Sequence, residues 1–543
     1  MADGPTLVSP TGLPLTESVT SNDMVLFTRL DRMYRAPRSL FTFTRTPDLV
    51  ERYRMVGDEI LRAYSETTGL EYQIAANEVA RLFAGGVINP RLPPYNCKGD
   101  AQRAKGVTWT AGSNRLEWPG GHFSAGDVGK FIGTSNSGPG YTPQQGTITS
   151  VLGPTEILVS FTAAVNLSAE IIWGTDDTVG MAQALADAKS PSNFVYGGVV
   201  DLGVGWYLVG PQVNWARSAI VGRGMNQSGL MRKPTMDLQA PSWPKALLRN
   251  QNVRDDFQTI LNVGLDGARY CQIPGYSSRC LEFFSVGAGD SSLPQVDPYP
   301  FWSGVGIFEA GWDGIATENR FSGDLLAIVI RGCWGFGLKH NAYDANINNL
   351  LAIATKSAGV WFQSANNNAQ NIKCSFNGDQ GGTGGQGTVD DSCCILITSS
   401  GNNLTNVRTQ ECPGDSVVLK GPRNTLGDFA CDDTGCMRPE HGQGPQTLRP
   451  VRAGVRISGG GAVDNKISVK VSYNVHTGQY ATHAVFTDGD SDHNFVEVFY
   501  PHDYAWSALG AASSGPAAPG VKGTSSSGGF GANNRVMSRG ALI

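Results

Sequence analysis

The sequence predicts a mainly β fold organised around a parallel β-helix of about 22 residues per coil. Three observations carry that expectation. Short strands recur: "GLKH" from Gly337, "GVWF" from Gly359, "CILI" from Cys394, "SVVL" from Ser416, "GVRI" from Gly454 and "AVFT" from Ala484. Their starts lie 22, 35, 22, 38 and 30 residues apart, so two steps are equal and the others are 22 plus insertions of 13, 16 and 8. The second residue of each strand is aliphatic (Leu338, Val360, Ile395, Val417, Val455, Val485), and the fourth is mostly apolar (His340, Phe362, Ile397, Leu419, Ile457, Thr487). A period of two within strands and of about 22 between them stacks side chains in inward columns. Finally, 69 of 543 residues are Gly and only 16% are charged, which suits a turn-rich β architecture.

A second set of strands opens on Asn, at Asn349, Asn371, Asn406, Asn465 and Asn494. Asn tolerates left-handed backbone and hydrogen-bonds the main chain, so it suits the corners of a solenoid. The 13-residue insertion coincides with the Gly-rich segment 378–391.

Residues 1–45 lack periodicity and read as an extended arm. Residues 46–96 read as a helical neck. Thr46 and Pro47 suit a helix start, Leu49, Tyr53, Val56, Ile60 and Ala63 follow 4-3-4-3 spacing, and a second helix runs from Glu71 to Gly85-Gly86. Such a segment is either a small packing unit or a neck that ties several chains together. Residues 97–173 alternate short strands with turns and form a small β-domain. The β-helix is expected over 174–504, headed by an amphipathic capping helix over 177–189 that Asp177 can cap. A solenoid ends in open core and unpaired edges, which such a helix covers. Residues 505–543 form a Gly/Ser/Ala-rich tail.

The net charge is −5 without a basic run, so nucleic acid is not an expected partner. No segment approaches the apolar length of a membrane span, and the N-terminus "MADGPTLVSPTG" has no secretory pattern. The ten cysteines follow no metal spacing and read as buried thiols. No metal or other cofactor is expected. Asp488, Asp490 and Asp492 alternate in a segment that reads as a solvated turn.

Four segments carry a resemblance: "KGDA" (98–101), "TDDTVGMAQALADA" (175–188), "GGVVDLGVGWYLV" (197–209) and "SAIVGRG" (218–224). Together they resemble the opening of the pectate-lyase-like right-handed β-helix superfamily. There the first two pieces are contiguous; here the small β-domain separates them. With the arm and neck in front, the chain resembles bacteriophage tailspike and tail-fibre proteins. That resemblance implies a homotrimer, attachment to phage tail or baseplate proteins through the N-terminal region, and a place in the virion tail. It also implies binding of a bacterial surface polysaccharide (capsule, exopolysaccharide or O-antigen), with depolymerisation or, alternatively, a non-catalytic fibre.

Cleaving a glycan by hydrolysis takes two carboxyls, and β-elimination takes a base beside a uronic carboxylate. The candidate acids are Glu411, Asp432, Asp433, Asp390 and Asp391, with Asp428 and Glu440 beside His441 as weaker ones. Outward positions Lys373, Arg408, Lys466 and Lys470 form a basic face suited to an acidic glycan. Trp302, Trp312, Trp334 and Trp361 either stack on sugar rings or pack the structure. Outward positions Trp361, Leu396 and Val418 form an apolar stripe, expected to be buried between subunits.

Overall fold

The computed structural model describes residues 86–189, 197–210, 213–215, 218–234, 246–250, 258–271, 279–284, 300–318, 323–378, 393–432, 453–472, 483–488, 491–499, 521–524 and 534–539, together with strand segments 7–8, 24–29, 32–37, 60–64 and 71–75. Its body is a parallel β-helix. One long parallel sheet runs from Val87–Ile88 to Arg535–Arg539, and a second, eleven-stranded one from Val213–Trp215 to Val521–Thr524. In the second sheet, Leu338, Val360, Ile395, Val417, Val455 and Val485 stand in register as one continuous inward column. His340, Phe362, Ile397, Leu419, Ile457 and Thr487 form the next column. All of these are buried, and most belong to one continuous core. The polar member His340 bonds Thr317 Oγ1 (2.9 Å) and Asn367 Oδ1 (3.1 Å), and burial pushes its pKa down to about 4.

The asparagines divide into two columns with different work. Asn349, Asn371 and Asn406 sit inside eight-residue strands (Asn346–Ile353, Asn368–Ser375, Asn403–Gln410) with φ of 51–58°. Ala327 and Asp428 hold the same left-handed corner in the coils on either side. These residues bend the strand so that it lines two faces of the solenoid. A second column, buried in the turn before each strand, links one coil to the next. The Oδ1 of Asn402 accepts from the backbone N–H of Asn367 (3.1 Å), that of Asn424 from Asn402 (2.9 Å), that of Asn465 from Asn424 (2.8 Å), that of Asn494 from Asn465 (3.0 Å), and that of Asn534 from Asn494 (2.7 Å). Each side-chain amide also donates to the next Oδ1. The single Asn series read from the sequence therefore mixes corner residues with ladder residues.

The small β-domain is a closed six-stranded antiparallel barrel made by Gln102–Trp109, Arg115–Glu117, Phe131–Thr134, Gln144–Gly153, Glu156–Val159 and Leu167–Gly174. Val107, Leu116, Ile132, Ile148, Ile157 and Ile171 fill it. It returns the chain to its point of departure. The N–H groups of Lys98 and Gly99 donate to Asp177 (2.7 and 3.0 Å), and that of Thr175 to Asp100 (2.8 Å). Motif pieces far apart in sequence are thus neighbours in space, and the barrel is an insertion between them. Asp177 stands at the head of the capping helix, Thr178–Ala188, but its carboxylate serves the 98–99 backbone instead of the helix. Met181, Ala184, Leu185 and Ala188 seal the first coil.

Several expectations need correction. Within the 46–96 neck, Ile60–Tyr64 and Glu71–Ala75 are antiparallel strands, with Leu61 opposite Ile74 and Ala63 opposite Tyr72. Two heptads are too few to force a helix, and in Glu71–Ala75 Tyr72 and Ile74 alternate with Glu71 and Gln73 at period two. The β-helix exceeds its expected 174–504 bounds at both ends. Val87–Ile88 pairs ahead of the barrel, and Val521–Thr524 and Arg535–Arg539 continue the two sheets inside the Gly-rich tail. Cys394 and Cys412, on adjacent coils with Cα atoms 6.0 Å apart, form a disulfide, whereas Cys97, Cys271, Cys280, Cys333, Cys374, Cys393 and Cys431 are buried thiols. The apolar stripe is covered by the chain itself. Leu396 and Val418 pack with Ala358 and Cys393 at 2% and 0% exposure, under half-buried Trp361 and Phe336.

Removing a ladder amide strands a buried N–H, which costs about 1–3 kcal/mol, in addition to the lost bonds. Asn424→Ala is therefore expected to lower stability in urea by about 2–4 kcal/mol. Asn371→Gly, at a corner that glycine adopts freely, is expected to stay within about 1 kcal/mol of the parent.

Candidate functional site

The strands that follow the left-handed corner present their outward side chains in columns about 4.8 Å apart from coil to coil. Lys373, Arg408, Ala430 and Lys470 occupy successive rungs of one such column. Lys373, Arg408 and Lys470 are exposed. Three of the four expected cations therefore share a line. The fourth, Lys466, is exposed in another column, after Asn403 and Thr425 and across the corner.

The next outward column holds Ser375, Gln410 and Asp432. Arg408 closes onto Asp432, with Nη2 and Nε at 2.6 and 2.8 Å from Oδ2. Glu411 follows at a second left-handed corner, φ 55°, where its N–H donates to the carbonyl of Asp432 at 3.0 Å. Its side chain is 4% exposed and accepts from Gln410 Nε2 at 3.2 Å. The structure thus brings Glu411 and Asp432 to one edge on adjacent coils. Glu411 is turned inward and Asp432 is held by a guanidinium. Asp433, Asp390, Asp391, Glu440 and His441 lie outside the described residues, as does Asp490. Asp428 is exposed at a left-handed corner. Trp302 is fully buried core, and Trp361 is half-buried with its Nε1 bonded to Thr398 Oγ1 at 3.0 Å. Among the described residues no three His, Cys, Asp or Glu side chains gather as they would around a metal ion.

Sequence reasoning missed an ionic cluster where the barrel meets the solenoid. Arg103 of the barrel pairs with Glu170 and, at 2.7 Å, with Asp266 of the solenoid. Lys105 reaches Glu170 at 3.6 Å, and Arg269 pairs with Glu309. An apolar patch adjoins them, with Ala101, Ile172 and Phe131 against Leu208, Met231, Ala268 and Trp206. Arg103 and Asp266 are 163 residues apart and share no motif, so no sequence signal joins them. Burial pushes the Asp266 carboxyl up to about 6, against the pull of Arg103 and the Ala268 N–H, with Glu309 and Glu170 adding to the rise. Apart from Lys105 the cluster is largely enclosed between barrel and solenoid, which suits it to docking the barrel.

No family model matches the sequence, and no curated protein matches it significantly. Among solved structures the chain is similar to ORF18 of Geobacillus virus E2, at 14% identity and TM-score 0.37 over 67% of this chain and 58% of that one. It is similar to the enzymatically active domain of tailspike protein 2 of bacteriophage CBA120, at 14% identity and TM-score 0.40 over 71% and 54%. It is also similar to the A-module of a mannuronan C-5 epimerase of Azotobacter vinelandii, at 13% identity and TM-score 0.38 over 67% and 96%. The chain thus spans little more than half the length of the two viral proteins.

A carboxyl whose folded-state pKa lies above its unfolded value makes the folded state take up a proton more readily. Its contribution favours folding at low pH and is lost as pH rises through about 6. Asp266→Asn carries no charge at any pH. Its stability relative to the parent is expected to rise by up to about 3 kcal/mol between pH 4 and pH 8. Paired denaturation curves across that range measure the difference.

Proposed function

We propose that this chain is a virion tail protein that binds an acidic bacterial surface polysaccharide on the outer face of its β-helix. The observation that carries the reading is the exposed cation column of Lys373, Arg408 and Lys470, held in register by a rigid solenoid. A flexible surface holds cations at no fixed spacing, whereas a β-helix repeats them at the coil pitch, as a polymer repeats its own groups. The sequence motifs at 98–101, 175–188, 197–209 and 218–224 support the same assignment. Residues 1–45 and 46–96 serve attachment to tail or baseplate proteins, and the working assembly is a homotrimer.

Depolymerisation by hydrolysis or β-elimination is the enzymatic form of this function. Asp432, at the strand edge and 9% exposed, is the first candidate acid, and Asp433, Asp390 and Asp391 are the further candidates; Glu411, turned inward at 4%, is the weakest of the five. The Arg408–Asp432 pair favours a second form, a non-catalytic receptor-binding fibre. With its Oδ2 held by the guanidinium, this carboxylate is well placed to orient Arg408 and has one oxygen fewer to offer a substrate.

Incubation with polysaccharide purified from a susceptible host, followed by size-exclusion chromatography, separates the two. Shortened chains establish depolymerisation; unchanged length with binding retained establishes the fibre. In either case Lys373→Glu is expected to weaken binding about tenfold, and the parent's affinity is expected to fall as salt is raised from 50 to 500 mM, roughly the range over which exposed charges become screened. Light scattering is expected to return three times the 57.7 kDa chain mass. Binding that ignores both salt and Lys373→Glu would overturn the assignment of this face.

A further inference from the structure

Beside the cation column, across the left-handed corner, lie two further outward columns. One holds Asn346, Asn368 and Asn403, and the other Asn348, Gln370 and Thr405. Four of these six residues are exposed, and Asn348 and Thr405 are half-buried. Five of the six are amides. The neighbouring Asn349, Asn371 and Asn406 are accounted for by their left-handed backbone. None of the six has a positive φ, and asparagine is depleted in extended strands. An amide at five of six ordinary strand positions runs against local propensity, which is where a functional demand shows itself.

The amides are partly pre-ordered. Asn371 Nδ2 donates to Asn348 Oδ1 (2.9 Å), Asn403 Nδ2 to Asn368 Oδ1 (3.3 Å), and Asn346 Nδ2 to Asp324 Oδ1 (3.0 Å). Each amide carries two donors and an acceptor with two lone pairs, so these bonds leave capacity facing solvent. The six positions carry no charge, while Arg408, one column beyond the corner, is engaged by Asp432. Lys373 makes no ion pair among the described residues.

We infer that this amide face, on the three strands Asn346–Ile353, Asn368–Ser375 and Asn403–Gln410, is a polysaccharide-binding surface for a linear glycan rich in hydroxyl and acetamido groups. The inference rests on the glycan-binding reading above and narrows its ligand. Hydroxyl and acetamido groups both donate and accept, as amides do, and recur along a polymer as the amides recur along the helix axis. A densely charged polyuronate is poorly matched, because the six positions carry no charge and the column beside them offers its cations without an ion pair among the described residues, Lys373 and Lys470, three rungs apart, with Arg408 engaged by Asp432 between them. The ligand's acidic groups are therefore sparse.

The test uses the full-length protein on an immobilised panel of purified bacterial capsule and O-antigen polysaccharides, with polygalacturonate as the densely acidic probe. The variant is Asn368→Asp with Gln370→Glu. It keeps side-chain size and keeps the oxygen that accepts from Asn403, so folding is preserved; Gln370→Ala serves as an uncharged second variant. The expected result is parental binding to a sparsely acidic panel member over polygalacturonate, a loss of at least tenfold in the double variant, a smaller loss in Gln370→Ala, and unchanged assembly mass. Three results would overturn the inference. Parental binding that persists in both variants removes this face and leaves the glycan-binding function standing. A changed assembly mass makes the face a contact between copies. A parent that binds polygalacturonate alone contradicts the sparse-acid ligand. If the parent binds no member of the panel, it is the glycan-binding function that falls, and this inference falls with it.

Discussion

The fold depends on the buried hydrogen bond from a turn N–H on one coil to an asparagine Oδ1 on the next. A solenoid coil has no sheet partner at its corners, so its turn N–H groups face a low-dielectric interior with nothing in the local chain to accept them. Asn402, Asn424, Asn465 and Asn494 solve this by reaching across the coil spacing, at 2.8–3.1 Å to the preceding turn N–H. His340 and Asn534 stand at the two described ends of the series. Each link fixes the offset of one coil against its neighbour. Once that offset is set, the aliphatic columns of the core follow, since a one-residue slip would turn every inward side chain outward.

The same constraint organises the surface. Because coils stack in strict register, groups more than twenty residues apart become neighbours about 4.8 Å apart, and the chain can repeat one chemistry along an edge. The cation column and the amide columns are both products of that repetition. The left-handed corner decides which is which. It divides the strands Asn368–Ser375 and Asn403–Gln410 into a segment bearing amides and a segment bearing Lys373 or Arg408, while Lys470 joins the cation column from Lys466–Ser472, which holds no left-handed residue. At the opposite end of the body, the barrel is docked by an ionic cluster and an apolar patch together, so the insertion and the solenoid meet as one packed unit.

Much of this was legible in the sequence, for a physical reason. Inward columns must be apolar at period two, so Leu338 to Val485 announce their own register, and the structure pairs them residue for residue. The cation column was legible by the same parity. Asparagine was harder, because the letter does not tell whether its amide turns inward to accept a turn N–H or stands at a bent corner. Asn402 and Asn406 lie four residues apart and do these two different things. The acids were least legible. Glu411 and Asp432 were legible as acids near the coils' edges, but their burial and the Arg408 clamp on Asp432 arise from neighbouring coils. The pairing of Arg103 with Asp266 joins two domains and leaves no local trace. The neck was misread because short apolar segments fit both periods, and pairing between Ile60–Tyr64 and Glu71–Ala75 decided for strand.

The most direct measurement of the central claim is native-state hydrogen exchange at the backbone amides of Asn402, Asn424, Asn465 and Asn494. These N–H groups precede strands and have no backbone partner of their own; the neighbouring asparagine side chain is their acceptor. If the ladder holds the coils in register, they exchange as slowly as strand amides such as those of Val417 and Ile467, opening only with the solenoid itself. If they exchange at the rate of exposed turn amides such as that of Asp344, the ladder does not hold the coils, and register must come from core packing alone.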